Sequence, residues 1–159
     1  MVSMTNTEQI IRKRLAKQSF ATLATSSPAG RPHVAGVVYE AVDSTLWIHT
    51  LRTSRKAKNV AASGHAAVCV PFRTMPMGPP FTIHFQAQAE LVADDSLEIA
   101  TLLEQGRLKS LTSHGELEMA DGCFVRLTPN GRVHAFGPGA KLLDLVRDPI
   151  GTGMSSVEL

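Results

Sequence analysis

The chain has 159 residues, of which 43% are hydrophobic and 19% are charged, and its formal net charge is +2. This length and composition predict one globular domain with a buried core, and they exclude a disordered chain. The small net charge and the low aromatic content argue against a nucleic-acid-binding protein, and the apolar runs are too short to span a bilayer.

The first half of the chain predicts a helix, a series of short strands and a second helix. Thr5-Asn6-Thr7-Glu8 fits a capping box, and an apolar stripe indicates a helix from about Glu8 to Lys17. The second helix is predicted over residues 55–63, with Thr53 or Ser54 as its N-cap. Four strands are predicted, from Phe20 to Thr25, His33 to Val42, Thr45 to Leu51 and Ala66 to Val70.

The second half of the chain begins with a proline-rich segment, residues 73–80, which predicts a loop at a sheet edge or over a pocket. Alternation of apolar and polar residues from Phe81 to Leu91 predicts a long strand with one buried face. Asp94 or Asp95 is the predicted N-cap of a helix that ends near Gln105. The remaining predicted elements are a helical turn within Arg107 to His114 and a short helix at Leu142 to Val146, with a hairpin between them. The hairpin joins Cys123 to Leu127 and Arg132 to Phe136 across Thr128-Pro129-Asn130-Gly131, whose Asn-Gly pair favours a turn with positive φ.

Six or seven short antiparallel strands with peripheral helices predict a mainly β fold whose sheet closes into a small barrel. No internal repeat or linker divides the sequence, so we expect residues 1–159 to form a single domain. Cys69 and Cys123 stand alone in strand-like segments, which is typical of buried thiols in a reducing cytoplasm. The Cys and His spacing predicts no metal site, and the polar N-terminus predicts no signal peptide and hence a cytoplasmic location.

The most informative segment is the basic turn, residues 51–58, where a strand passes directly into a helix. Its four cations are Arg52, Arg55, Lys56 and Lys58. They crowd the first helical turn, where the macrodipole already places partial positive charge and unpaired N–H groups. A bound phosphate would make these charges stabilising, since arginine grips it bidentately and the helix N-terminus donates to it. A solvated basic face on a short helix is the alternative interpretation.

The order of elements and the Ser54-Arg55-Lys56 triplet resemble the pyridoxamine 5′-phosphate oxidase family, whose split β-barrel group also contains flavin and deazaflavin oxidoreductases. The resemblance runs from about Phe20 to Phe136. It implies an antiparallel split β-barrel in which the basic turn holds the phosphate and ribityl chain of FMN. His49 stands at a position that is commonly aromatic in the family.

The strand from Val34 to Tyr39 resembles the family strand whose backbone lies along the isoalloxazine ring. The oxidases begin that strand with an Arg and end it with a Lys, whereas Val34 and Tyr39 stand there in this sequence. Gly36 would let the backbone approach a flat ring closely. An ordinary buried hairpin strand is the alternative. The resemblance thus implies these cofactor-binding residues: Val34, Ala35, Gly36, Val37, His49, Thr50, Ser54, Arg55 and Lys56.

The resemblance implies an FMN-dependent oxidoreductase that acts on a small molecule, as a homodimer with the cofactor at its interface. The flavin would carry the redox chemistry, so the sequence assigns no catalytic residue. In the oxidases a C-terminal Arg-x-His element grips the substrate. Arg132-Val133-His134 has that spacing but falls one strand too early, so we do not expect vitamin B6 oxidase activity. His84, His134 and Phe136 remain either pocket or plain strand residues.

Two other functions fit the same residues. Relatives in the family bind the deazaflavin coenzyme F420, whose longer anionic tail would also suit the basic turn. A non-enzymatic flavin- or haem-binding protein, acting as a store or sensor, would likewise keep the phosphate turn and lack substrate residues. The proline-rich segment can be read either as a lid over the site or as a loop without function.

Overall fold

The computed structural model describes residues 5–78, 80–137 and 153–159, and within them the fold is mainly β. The helices are α1 (Asn6–Lys17), α2 (Arg55–Ser63) and α3 (Leu97–Glu104), and two 3₁₀ turns follow at Lys109–Leu111 and Glu116–Glu118. The strands are β1 (Phe20–Ser26), β2 (Pro32–Val38), β3 (Glu40–Val42), β4 (Thr45–Leu51), β5 (His65–Phe72), β6 (Phe81–Val92), β7 (Gly122–Pro129), β8 (Arg132–Phe136) and β9 (Met154–Glu158).

The strands form one antiparallel sheet that curls into a split barrel, as predicted. Its order is β2-β1-β5-β6-β7-β4-β3, and β8 joins it by pairing with β6 and with β9. The predicted strand from His33 to Val42 is divided into β2 and β3 at Tyr39. The ring of Tyr39 is buried, and its hydroxyl donates to the carbonyl oxygen of Leu15 at 2.8 Å. That bond ties α1 to the break between the two strands.

The predicted hairpin of the sixth and seventh strands is wrong. Both β7 and β8 pair antiparallel with β6, so they run in the same direction along one edge of it. Ala87 of β6 pairs with Pro129, and His84 of β6 pairs with His134. The three-residue advance along β6 is therefore matched by a five-residue advance on the other side. The extra residues form a bulge, in which the N–H of Asn130 donates to β6 at 2.8 Å and Gly131 has a φ of 82°. The Asn-Gly pair therefore supplies a positive φ within an edge rather than a reversal.

The helix caps follow the sequence in two of three cases. Thr5 caps α1 and Ser54 caps α2, each by accepting a backbone N–H three residues later. The N-cap of α3 is Ser96, and the prediction of Asp94 or Asp95 is wrong. Asp94 bonds a histidine in β4 instead. A carboxylate can serve either as a cap or as a tertiary acceptor, and here the tertiary contact prevails.

The main hydrophobic core fills the barrel and includes Ile11 and Leu15 of α1. A second cluster lies outside the barrel and consists of Trp47, Ile99, Leu108, Leu111 and Phe124. It anchors the segment from Leu108 onward against β4 and β7.

The carboxylate of Glu40 fixes the same segment. It accepts the N–H of Leu108 at 2.6 Å and the N–H of Ser110 at 3.1 Å. The predicted helical turn within residues 107–114 is present as the first 3₁₀ turn. The helix predicted at residues 142–146 lies outside the described residues. In the part of the chain that the structure describes, no helix has the length and apolarity needed to cross a membrane.

Candidate functional site

The basic turn is held in place at both ends. Ser54 Oγ accepts the N–H of Ala57 at 3.3 Å, and Thr50 Oγ1 of β4 lies 3.3 Å from the same oxygen. On the other side, Asp121 accepts the N–H of Thr53 through Oδ2 at 3.1 Å. The start of α2 is thus rigidly connected to both β4 and the chain before β7.

The cations of the basic turn lack acidic partners in the part of the chain that is described. The first turn of α2 contains no acidic residue, and none of the ion pairs among the described residues involves these four side chains. Arg55 is exposed, whereas Lys56 is half-buried. Positive charge beside free helix N–H groups favours an anion.

A cleft of about 460 Å³ begins at this turn. Strand β2 forms one wall and the segment with the two 3₁₀ turns forms the other. Its lining residues are Gly36, Val37, Val38, His49, Lys56, Ser110, Leu111, His114 and Glu116. The volume lies within the range of roughly 300–1,000 Å³ that is usual for small-molecule sites.

Four of the nine predicted cofactor-binding residues line this cleft, namely Gly36, Val37, His49 and Lys56. Thr50 and Ser54 do not line it; they lie near the lining residues His49 and Lys56 in the chain, and their hydroxyl oxygens are 3.3 Å apart. Val34 is 60% exposed on the outer face of β2, and Ala35 pairs with Leu23 in the sheet.

Arg55 does not line the cleft. It borders a separate depression of about 310 Å³ together with Arg31, Ser27, Ala29 and Pro32 from the β1–β2 turn. The two cations predicted to share one phosphate therefore face different depressions beside the start of α2. Their role in binding stays a prediction.

The far wall of the cleft was missed by sequence reasoning. Ser110, Leu111, His114 and Glu116 belong to no motif, and only tertiary contacts bring them opposite β2. The backbone N–H of His114 donates to Glu116 at 2.8 Å, and this bond lowers the pKa of the carboxyl. The cleft therefore has an acidic residue on the wall opposite β2 and a basic residue, Lys56, at the end where α2 begins.

His49 is almost wholly buried at the edge of the cleft, with 4% of its side chain exposed. Its Nε2 lies 3.0 Å from Oδ2 of Asp94, and its ring packs edge-on against Phe124 at 4.8 Å between centroids. Gly122 leaves room for the pair, because a Cβ there would lie 2.7 Å from Oδ2 of Asp94.

The other residues left open by the sequence lie elsewhere. His84 and His134 are opposite each other on β6 and β8, with stacked rings 5.4 Å apart, and neither lines the cleft. Phe136 packs against Phe81. The described residues of the proline-rich loop do not line the cleft either. Among the described residues, no three His, Cys, Asp or Glu side chains are placed to hold a metal ion.

The donor set fits a planar cofactor with a phosphate tail. An apolar strand with a glycine forms one wall, and at one end lies a serine-capped helix start whose cations have no acidic partner among the described residues. The sequence profile of the pyridoxamine 5′-phosphate oxidase family matches residues 7–130, most of the chain. The chain belongs to this family. No curated protein matches it.

Solved structures of the same fold come from proteins that are named for different ligands. The chain is similar to the heme storage protein HutZ from Vibrio cholerae, with 20% identity over 77% of this chain and 89% of that one and a TM-score of 0.65. It is similar to an FAD-binding protein from Mesorhizobium loti, with 18% identity over 80% and 89% of the two chains and a TM-score of 0.62. For an F420 reductase the values are 18% identity, 75% and 92% coverage and a TM-score of 0.56.

Proposed function

We propose that this protein is an oxidoreductase that binds FMN in the cleft, with the phosphate at the basic turn. The observation that carries the proposal is the capped start of α2, whose cations lack acidic partners among the described residues, at one end of a cleft walled by β2. Bound FMN would supply the redox chemistry. The chain would bind the phosphate, present the ring and limit the access of water.

Each group at the helix start has a distinct role in this proposal. Lys56 lines the cleft and would bind the phosphate there, and Arg55 would approach the phosphate from the neighbouring depression. Thr50 and Ser54 contribute hydroxyls beside the helix N–H groups. Gly36 and Val37 would border the ring of the cofactor, together with the ring of Phe20, which lies 3.0 Å from where a Cβ on Gly36 would stand.

We also propose a homodimer. The outer face of β2 exposes two valines, Val34 at 60% and Val38 at 55%, and Phe20 next to them is 49% exposed. A cluster of exposed apolar side chains is typical of an interaction surface. It adjoins the cleft through Val38, so a partner subunit seated there would border the cofactor.

The substrate in this proposal is a small molecule other than a vitamin B6 phosphate. The sequence has two Arg-x-His triplets, Arg31-Pro32-His33 at the start of β2 and Arg132-Val133-His134 on β8, and neither their arginines nor their histidines line the cleft. The phosphate grip that such a substrate requires is therefore not supplied by them.

Coenzyme F420 is a second candidate, and the depression bordered by Arg31 and Arg55 favours it. Its anionic tail is longer than that of FMN, and two arginines beyond the cleft would suit further negative charge. A haem store is a third candidate. His114 lines the cleft and its side chain is 82% exposed, so its imidazole is accessible to iron.

The test is FMN binding by the Arg55→Ala/Lys56→Ala double variant, measured by quenching of flavin fluorescence. Charged hydrogen bonds contribute roughly 1.5–3 kcal/mol each, so the Kd should rise by about a hundredfold or more. Lys58→Ala is the matched control, because Lys58 is exposed on the same helix and lines neither depression. Unchanged affinity in the double variant would refute the phosphate site.

Thermal unfolding with FMN, with coenzyme F420 and with haem separates the three candidates. A ligand at about 100 times its Kd stabilises the folded state by ~2.7 kcal/mol, which is a measurable shift in melting temperature. A shift with FMN alone supports the first proposal, whereas a shift with only one of the others replaces it. Turnover of an electron acceptor by the loaded protein then distinguishes an enzyme from a store.

A further inference from the structure

The pair formed by His49 and Asp94 lies at the cleft, and none of the proposed phosphate or ring contacts uses it. The imidazole Nε2 and the carboxylate Oδ2 are 3.0 Å apart, and 96% of the His49 side chain is removed from solvent, since 4% is exposed. His49 nevertheless lines the cleft. The residue therefore borders the space that a ligand would occupy.

Burying the His49–Asp94 pair at this position costs free energy that an apolar side chain would not. Burial of polar groups is unfavourable unless each finds a partner, and an aromatic ring would pack on Phe124 without that cost. Oδ1 of Asp94 is buried and makes no hydrogen bond with the described residues. Residue 122 must also be small, since a Cβ there would clash with both members of the pair. Several features of the fold thus maintain one histidine–carboxylate contact.

The contact selects one tautomer of the imidazole. A carboxylate only accepts, so Nε2 must carry the proton that it donates to Asp94. In the neutral ring Nδ1 then holds a lone pair, and it makes no hydrogen bond with any described residue. A ring nitrogen that keeps its lone pair and has no partner among the described residues is able to accept a hydrogen bond from a ligand in the cleft.

We propose that Asp94 holds His49 in the Nε2–H form so that Nδ1 accepts a hydrogen bond from a ring N–H of the ligand in the cleft. The ligand class is a flat heterocycle with an imide-type N–H at its edge, as in a flavin or a deazaflavin. The inference rests on the proposed function and deepens it. His49 is the binding residue, and Asp94 is a positioning residue.

The first test is the tautomeric state of His49 in the protein without ligand, read from two-bond ¹H–¹⁵N correlations of the imidazole. The expected spectrum is that of the Nε2–H form, and addition of FMN should shift the Nδ1 resonance in the direction of hydrogen bonding. A Nδ1–H form or an imidazolium would overturn the proposal, because neither leaves an acceptor at Nδ1.

The second test is the Asp94→Asn variant, whose amide can donate to Nε2 and so permits the Nδ1–H form. FMN should then bind about tenfold more weakly, because two donors would face each other in the cleft. Asp95→Asn is the matched control: it removes the same charge from the adjacent, exposed carboxylate and should leave the Kd within about twofold. If Asp94→Asn does not fold, the double variant His49→Phe/Asp94→Leu keeps an aromatic ring on Phe124, removes the acceptor and leaves no carboxylate buried without its partner. Its Kd for FMN should rise several-fold, and an unchanged Kd would overturn the proposal.

The outcomes separate this inference from the proposed function. Wild-type affinity and an unchanged tautomer in Asp94→Asn would overturn the positioning role while FMN binding itself stands. Absence of FMN binding by the wild-type protein would refute the proposed function and the ligand class named here. The spectrum of the ligand-free protein still decides the state of His49 in that case.

Discussion

Replacement of Gly122 by alanine should destabilise the protein through the His49–Asp94 pair. The new Cβ would lie 2.7 Å from Oδ2 of Asp94 and 2.9 Å from Cε1 of His49, distances that side chains do not tolerate. One member of the pair must move, and their hydrogen bond is then lost. The backbone of Gly122 has no positive φ, so alanine causes no conformational strain there.

The magnitude follows from two opposing terms. Loss of a hydrogen bond to a charged group costs about 1.5–3 kcal/mol, while Gly→Ala stabilises by about 0.4–1 kcal/mol through the unfolded chain. The net loss is about 1.5 kcal/mol, or about 3–6 °C in the melting temperature of a chain of this length. Urea unfolding followed by circular dichroism measures it.

Two further variants show whether the effect of Gly122→Ala comes from the His49–Asp94 pair. Gly78→Ala adds a Cβ that meets only ordinary contacts, 3.4 Å or more away, and should change the free energy of unfolding by less than about 0.5 kcal/mol. In an Asp94→Ala background the penalty at Gly122 should fall by about half or more, since the closest atom is gone. A Gly122→Ala protein as stable as the wild type would refute the reasoning.

Two further predictions concern Tyr39 and the cap of α2. Burial raises the pKa of Tyr39, so the folded state keeps the phenol neutral. The stability that the neutral, buried phenol contributes is complete below about pH 10, the ordinary pKa of tyrosine in an unfolded chain. This contribution is lost as the pH rises above that value. Tyr39→Phe should lower the free energy of unfolding by about 1–2 kcal/mol at neutral pH. It should also reduce the stability that the protein loses at alkaline pH, as measured by urea unfolding at neutral and at alkaline pH. An equal loss of stability at alkaline pH in the variant and the wild type would contradict this prediction. Ser54→Ala should cost about 1 kcal/mol of stability and also weaken FMN binding, whereas Ser96→Ala, at the cap of α3, should cost only stability; equal effects on FMN binding would argue against a ligand at Ser54.

Much of the fold is encoded in local patterns. The capping box at Thr5, the alternation along β6 and the strand-turn-helix at the basic turn each depend on neighbours within a few residues. Periodicity and capping are properties of such short segments, so the sequence suffices for them. The small barrel follows from the number and length of the strands, and it is confirmed.

Where local preferences compete, the sequence misleads. Asn130-Gly131 favours a tight turn, yet β6 is long enough to pair with both neighbouring strands, and the pair becomes a bulge. Asp94 is a good helix cap, yet it bonds a histidine 45 residues away in the chain. In both cases a contact with a distant strand outweighs a preference of a few tenths to about 1 kcal/mol.

The sequence by itself was sufficient to predict the split barrel, the position of the basic turn and the family that the chain resembles. Only the tertiary structure decided the rest of the site: which depression Arg55 and Lys56 each line, what forms the second wall and which atom of His49 contacts Asp94. Glu40 fixes that wall from 68 residues away, and Gly122 makes room for a pair contributed by two other elements. Such contacts depend on the packing of segments far apart in the chain, and no local pattern of residues records them.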